Sequence, residues 1–187
     1  MASPAQFTTI STEGGLLPSD LISRLVNDTQ SLPGTRDEDY RLTPGRQLRE
    51  IINRSWNDLL GAWQVFQPQV ARAAPDDHTA TLTWDRWLLP LFAELGYGRL
   101  ERFPEALTIG EKDYPVSHHH DHAPVHLVGW NVRLDRRTFG VVGAARAAPH
   151  SMIQELLNRT DEYLWAVLSN GRQLRILRDN SSLTRAA

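Results

Sequence analysis

Cysteine is absent from the 187 residues, and lysine occurs once, as Lys112, beside 19 arginines. The missing thiols exclude disulfides and thiolate metal sites, and they suit a reducing compartment, so we expect a cytoplasmic protein. No apolar run reaches the ~18 residues that a membrane helix needs. The N-terminus also lacks the charged and apolar regions of a signal peptide. We therefore expect no membrane partner.

The charge is nearly balanced, with a formal net charge of −2. This excludes a chain that binds nucleic acid over its whole surface, because neutralising phosphates requires clustered cations. Any DNA contact must come from a local patch. The length fits one ordinary domain with an additional arm, and a hydrophobic content of 41% with six tryptophans suffices for a core.

The first 75 residues predict a flexible lead-in followed by a helical arm. Apolar residues recur at helical spacing after Asp20, and a second helix is expected to begin at Pro44 and to end at Pro68. Residues 76–187 predict an α/β (α+β) core, a mixed sheet with flanking helices. Four tryptophans recur at helical spacing, which favours packing in the core over base stacking: Trp56, Trp63, Trp84 and Trp87.

The core begins with a helix that Thr83 can cap, that Pro90 should bend and that Gly96 should end. Short β-like runs follow at 107–109, 114–116, 124–128 and 130–134. The last third predicts a helix capped by Ser151, a buried strand at 163–168, a turn at Asn170-Gly171 and a returning strand at 173–178.

Arginines are the candidate DNA contacts. The set comprises Arg133, Arg136, Arg172, Arg175 and Arg178, with Arg137 and Arg185 beside them. In an extended strand Arg175 and Leu177 share one face, while Ile176 and Arg178 share the other. The alternative is a solvated edge on which these arginines pair with Asp161, Glu162 or Asp179.

A run of histidines is a candidate metal site. If the run were extended, His118, His120 and His122 would share one face and could bind Zn²⁺ or Ni²⁺. A polar histidine run between two strands is more typical of an exposed loop. We therefore expect a loop here and no functional metal.

The block from Ala148 to Asp179, a helix, a buried strand, an Asn-Gly turn and an arginine-rich strand, resembles part of the PD-(D/E)XK nucleases. Residues 149–158 and 164–185 more narrowly resemble the N-terminal region of SAM-dependent DNA methyltransferases from phage-defence and restriction–modification systems. These are the DISARM, BREX-like and type IIG proteins, and the resemblance covers roughly residues 80–185. It implies DNA and other defence-system subunits as partners, and a methyltransferase domain that binds SAM beyond residue 187.

The chemistry of that family is incomplete in this chain. Nuclease cleavage needs an Asp and a [Glu/Asp]-x-Lys triplet on adjacent strands, where the carboxylates hold Mg²⁺ and the lysine positions water. The triplet is absent, and the nearest substitutes are Asp113, Asp135 and Arg137, with Gln154 in place of a Gln-x-x-x-Tyr motif. Arginine is a poor replacement because it stays protonated.

We therefore expect a degenerate nuclease-like core, without a cofactor of its own, that binds DNA or docks on a partner. One alternative is an active Mg²⁺-dependent endonuclease that uses Asp113, Asp135 and Arg137. Another is a purely structural docking domain. The sequence contains no Pro-Pro pair for a target base, and Gly140-x-x-Gly143 lacks the acidic partner of a SAM loop. We expect no methyl transfer by these residues alone.

Overall fold

A computed structural model describes residues 10–13, 17–18, 20–27, 32–40, 42, 45–74, 76–78 and 80–179. The chain divides into two compact units, Met1–Trp56 and Asn57–Ala187. The division falls inside a long helix, whereas the sequence predicts a boundary near residue 75. Pro44 and Arg185, which carry sequence-based predictions, lie outside the described residues.

The smaller unit contains helix α1, Leu21–Asn27, a 3₁₀ turn at Asp37–Tyr40 and the start of helix α2, Leu48–Arg72. The Asp37 carboxylate accepts the N–H of Leu48 at 2.8 Å, which satisfies a donor that has no partner within the helix. The predicted end of α2 at Pro68 is wrong, since the helix continues to Arg72. A proline removes one donor and does not prevent a further turn.

The larger unit continues with a helical segment from Ala80 to Tyr97. It consists of helix α3, Ala80–Thr83, a π-helical turn, Trp84–Leu88, helix α4, Leu89–Phe92, and a second π-helical turn, Ala93–Tyr97. Pro90 lies between the two π-helical turns, in keeping with a residue that disturbs the α-helical ladder. Gly96 leaves the helical region with a φ of +88°.

In the described residues, seven strands follow the helical segment. They are β1 Glu101–Arg102, β2 Leu107–Ile109, β3 Lys112–Tyr114, β4 His118–His120, β5 Ala123–Leu127, β6 Trp165–Ser169 and β7 Leu174–Arg178. Five form one sheet in the order β1-β4-β5-β6-β7, and β2 pairs with β3 separately. Only β5 and β6 are parallel within the described sheet, with Val125 opposite Val167.

Helix α5, Pro149–Arg159, lies between β5 and β6 in the chain. A connection of this kind is required because parallel strands cannot be joined by a tight hairpin. Helix α5 packs with Ile153, Leu156 and Leu157 against Ala166 and Leu168 of β6.

The helical segment supplies the second hydrophobic cluster, in which Leu88 and Phe92 contact Val125, Leu127 and Val167 of the sheet. Helices thus flank the mixed sheet, which confirms the predicted α/β fold class. None of the helices in the described residues combines the length and the apolar character that crossing a membrane requires.

Several local predictions are wrong. Residues 130–134 form turns rather than a strand, although Val132 and Leu134 are buried. Thr83 does not cap its helix, since its hydroxyl accepts the N–H of Trp130 at 3.0 Å. Ser151 lies inside α5, whose N-cap is Ala148 followed by a proline at the first helical position.

The tryptophans divide into packed and exposed residues. Trp63, Trp87 and Trp130 surround the fully buried Phe66, with ring centroids 5.0–6.2 Å apart. Trp56 is 61% exposed, so its predicted place in the core is wrong.

Candidate nucleic-acid interface

The segment between β5 and α5 carries most of the candidate site, and hydrogen bonds from other elements fix its path. The amide of Asn170 donates to the carbonyl of Val132 at 2.8 Å. The N–H of His150 donates to the carbonyl of Leu134 at 2.9 Å. A chain held at such points can present neighbouring side chains in a fixed arrangement, as a binding site requires.

Three of the candidate arginines line one polar cavity of about 650 Å³. We call this cavity the arginine cleft; its charged residues are Arg133, Arg136, Arg172 and Asp135, and its lining also includes Trp130 and Asn170. The arginines of the cleft are exposed at the surface. Three cations against one carboxylate favour an anionic ligand.

Arg172 is held by an aromatic platform. Its guanidinium lies over the ring of Trp130, 4.5 Å from the centroid, within the range of a cation–π interaction. The ring of Trp130 packs edge-on against that of Phe66, with the centroids 5.3 Å apart. The turn before Arg172 is fixed because the side-chain oxygen of Asn170 accepts hydrogen bonds from the N–H groups of Arg172 and Gln173. The predicted Asn170-Gly171 turn is confirmed, with Gly171 at a φ of +83°.

Asp135 at the edge of the cleft is already paired. Its two oxygens accept hydrogen bonds from Arg175 at 2.5 and 2.6 Å, in the bidentate geometry that arginine forms with carboxylates. These bonds hold the pKa of Asp135 below its ordinary value, against the opposing effect of partial burial. His150 contacts the same guanidinium at 3.1 Å.

The arginines of strand β7 face opposite ways. Arg175 lies on the side of Leu177, which packs in the core cluster that contains α5. Arg178 lies on the other side, where its guanidinium stands over Trp165 at 5.4 Å. The face assignment from the sequence is therefore confirmed, and it separates Arg178 from Arg175.

The candidate nuclease residues lie on different elements. Asp113 lies on β3 of the two-stranded sheet, where it accepts the Thr108 hydroxyl at 2.8 Å. Asp135 and Arg137 lie in the segment after β5, and Gln154 donates to the carbonyl of Arg178 from helix α5. The antiparallel pair β4 and β5 contains no carboxylate within its strands.

Lys112 is committed to an ion pair. Its ammonium donates to both oxygens of Glu155 at 2.7 and 2.6 Å, and this hydrogen bonding lowers the pKa of Glu155. The hydroxyl of Tyr114 also contacts Glu155, and burial raises the pKa of Tyr114. The single lysine thus links β3 to helix α5.

The histidine run forms strand β4, so the predicted exposed loop is wrong. The run pairs with β1 on one side and with β5 on the other. This pairing stabilises an extended conformation although the residues are polar. His118 is buried, and the centroid of its ring lies 4.9 Å from that of Trp84. Burial is the main cause that lowers the pKa of His118 to about 4. His122 follows in a turn, and the described residues contain no group of three or more His, Asp or Glu side chains that could hold a metal ion.

Sequence reasoning missed a second buried histidine, His126 of β5. Its Nε2 atom lies 3.1 Å from the carbonyl oxygen of Gly143, and burial lowers its pKa to about 4. His126, Phe139 and Val142 also line a larger, mostly apolar cavity of about 740 Å³. We favour the arginine cleft as the candidate interface because it concentrates cations. The sequence signals for the larger cavity are a histidine within the apolar run 124–128 and the short apolar run 139–143.

No protein-family model, curated protein or solved structure matches this chain.

Proposed function

We propose that this chain is a non-catalytic DNA-binding module, and that the arginine cleft contacts the phosphate backbone. One observation carries the proposal: Arg133, Arg136 and Arg172, chosen from the sequence as DNA contacts, line the same cavity. Arginine suits phosphate because its planar fork donates several hydrogen bonds. Such contacts position a protein on DNA without reading its sequence.

The described residues contain no group of three or more His, Asp or Glu side chains that could hold a metal ion, and this supports a non-catalytic role. Metal-dependent cleavage needs carboxylates that converge on one ion. Asp113 lies on the two-stranded sheet, whereas Asp135 lies in the loop after β5. The carboxylate of Asp135 also forms an ion pair with Arg175.

The wider context of the proposal rests on the resemblance alone. We place the module in the cytoplasm, at the N-terminus of a DNA methyltransferase or restriction enzyme of a phage-defence system, where SAM would bind a later domain. Co-purification of this chain with such a methyltransferase from its own cells tests this context. Recovery of the chain without any methyltransferase would contradict it.

The first prediction concerns the cleft arginines. Replacing Arg133, Arg136 and Arg172 together by alanine should weaken duplex binding by about 100-fold, from roughly 1 kcal/mol for each lost phosphate contact. The measurement is a fluorescence-anisotropy titration with a labelled duplex at fixed salt. Arg146→Ala is the matched control because Arg146 is exposed and does not line the cleft. Equal losses in the control and the triple variant would refute the assignment.

A second prediction separates binding from cleavage. Asp135→Asn should strengthen duplex binding by about three- to tenfold, because it removes the one carboxylate of the cleft. The same anisotropy titration measures the gain. If the wild type instead cuts plasmid DNA with Mg²⁺ or Mn²⁺, and Asp135→Asn abolishes cleavage, the endonuclease alternative is correct.

Docking is a second candidate function, favoured by one observation. Four large apolar side chains on and beside strands β6 and β7 are 37–51% exposed: Leu164, Trp165, Leu174 and Ile176. Exposed apolar clusters mark interaction surfaces. None of these four side chains lines the arginine cleft, so the triple arginine variant removes none of them.

A further inference from the structure

The larger of the two cavities has the size and the lining of a small-molecule site. Its volume of about 740 Å³ falls in the range of roughly 300–1,000 Å³ that is typical of such sites. The lining is mostly apolar and includes the aromatic residues Trp84, Phe103 and Phe139. Among the described residues, the cavity shares no lining residue with the arginine cleft. We call it the aromatic cavity.

The turn from Thr138 to Ala144 gives the aromatic cavity an exposed apolar wall. Phe139 is 97% exposed and Val142 is 80% exposed, and both line the cavity. The turn is closed by its own backbone, since the N–H of Thr138 donates to the carbonyl of Ala144 at 2.9 Å. A ligand with an apolar body gains binding free energy when it covers these two side chains, because it removes apolar surface from water.

The charge of the aromatic cavity is opposite to that of the arginine cleft. Its lining contains three acidic residues, Asp76, Asp77 and Glu105, and one arginine, Arg102. The guanidinium of Arg102 lies over the ring of Trp84, 4.8 Å from the centroid, so the lining already holds one cation against an aromatic face. An excess of carboxylates favours a cationic ligand over an anionic one.

Unpartnered polar atoms are concentrated in the lining of the same cavity. The described residues contain four buried side-chain nitrogen or oxygen atoms without a hydrogen-bond partner. Three of the four belong to residues that line the aromatic cavity: Nδ1 of His78, Nε1 of Trp84 and Nδ1 of His126, whose side chain is buried at 1% exposure. Such atoms are rare in folded proteins. Their concentration here points to a ligand that carries a hydrogen-bonding group as well as an apolar body.

We propose that the aromatic cavity binds a small organic ammonium ion with an apolar body, and this inference does not depend on DNA binding. The apolar body covers Phe139 and Val142, and the ammonium group lies among the carboxylates and the aromatic rings. Aromatic faces attract cations, and an ammonium group donates up to three hydrogen bonds.

The test uses three probes that share a benzyl group and differ in charge: phenethylamine, phenethyl alcohol and phenylacetate. Their affinities for the full chain are measured at neutral pH by saturation-transfer NMR titration. Phenethylamine should bind about tenfold more tightly than phenethyl alcohol, because only the cation gains from the carboxylates and the rings. Phenylacetate should bind most weakly.

The carboxylates are tested by Asp76→Asn combined with Glu105→Gln. This variant should bind phenethylamine about five- to tenfold more weakly and bind phenethyl alcohol within about twofold of the wild type. Glu94→Gln combined with Glu111→Gln is the matched control, because it makes the same change in net charge at two exposed residues outside the lining. The control should bind both probes as the wild type does.

The exposed wall is tested by Phe139→Ala, which should weaken the binding of both phenethylamine and phenethyl alcohol by about three- to tenfold. Circular dichroism spectra verify that each variant is folded. A Phe139→Ala variant that binds both probes as tightly as the wild type overturns the proposed place of the apolar body.

The remaining outcomes also decide the inference. Absence of phenethylamine binding, or equal affinities for the three probes, overturns it. Equal losses of phenethylamine binding in the two carboxylate variants overturn it as well, since the effect then comes from net charge. The variant with Arg133, Arg136 and Arg172 replaced by alanine should bind phenethylamine as the wild type does, so failure of the DNA-binding proposal and failure of this inference are distinguishable.

Discussion

Gly143→Ala should be the most destabilising change of a glycine to alanine among the glycines that the structure describes, with a loss of about 3–5 kcal/mol in the free energy of unfolding. A Cβ atom at Gly143 would lie 2.6 Å from Nε2 of His126 and closer still to its Cε1 atom. The His126 ring is buried and cannot move aside cheaply. The φ of +77° at Gly143 adds the strain of the left-handed region.

Gly140 provides the matched control in the same turn. It has the same φ of +77°, but a Cβ atom there would meet nothing within 4 Å. Gly140→Ala should therefore cost only about 1 kcal/mol, the conformational part of the effect. Urea unfolding of both variants measures the difference, and equal losses would show that the contact with His126 contributes nothing.

Acid should destabilise the protein well above the pH range in which carboxylates titrate. Burial lowers the pKa of both His118 and His126 from 6.5 to about 4. Between these values the unfolded state binds more protons than the folded state, so stability falls as pH falls from about 6.5 to 4. From pH 7 to 5 the loss should be about 2 kcal/mol for each histidine, and up to about 4 kcal/mol for both.

The two paired carboxylates act in a lower pH window. The pKa values of Asp135 and Glu155 are lowered from 3.8 and 4.5, so the stability that they contribute is present above those values and is lost below them. The change in stability from pH 7 to 5 therefore reports on the two buried histidines and not on these carboxylates. Urea midpoints across this interval measure the effect, and His126→Gln should flatten the curve even if it lowers stability throughout. A wild-type midpoint that stays constant from pH 7 to 5 would contradict the buried, neutral state of both rings.

The last third of the fold was predictable because its local signals agree. The apolar run at 163–168, the Asn170-Gly171 turn and the alternation at 173–178 all indicate one hairpin, and β6 and β7 form it. Strand β4 was not predictable from its polar residues, since its conformation depends on pairing with β1 and β5. The prediction of a strand at 130–134 was wrong because buried and exposed side chains can alternate in a loop as they do in a strand.

The candidate site was predictable in its residues and not in its geometry. The arginines could be chosen from the sequence, but the path of the loop after β5 decides that Arg133 and Arg136 join Arg172 in one cleft. The pairing of Asp135 with Arg175 spans 40 positions, and the contact of His126 with Gly143 depends on the same loop. Contacts of this kind arise from tertiary packing, which local patterns do not encode.

The salt dependence of duplex binding tests the central claim most directly. Kd is measured by anisotropy from about 50 to 200 mM salt, for the wild type and for the variant with Arg133, Arg136 and Arg172 replaced by alanine. If these arginines contact phosphates, the slope of log K against log salt should be shallower in the variant by about two to three, at about 0.9 for each contact. Parallel slopes for the two proteins, or a wild type that does not bind the duplex, would contradict the account.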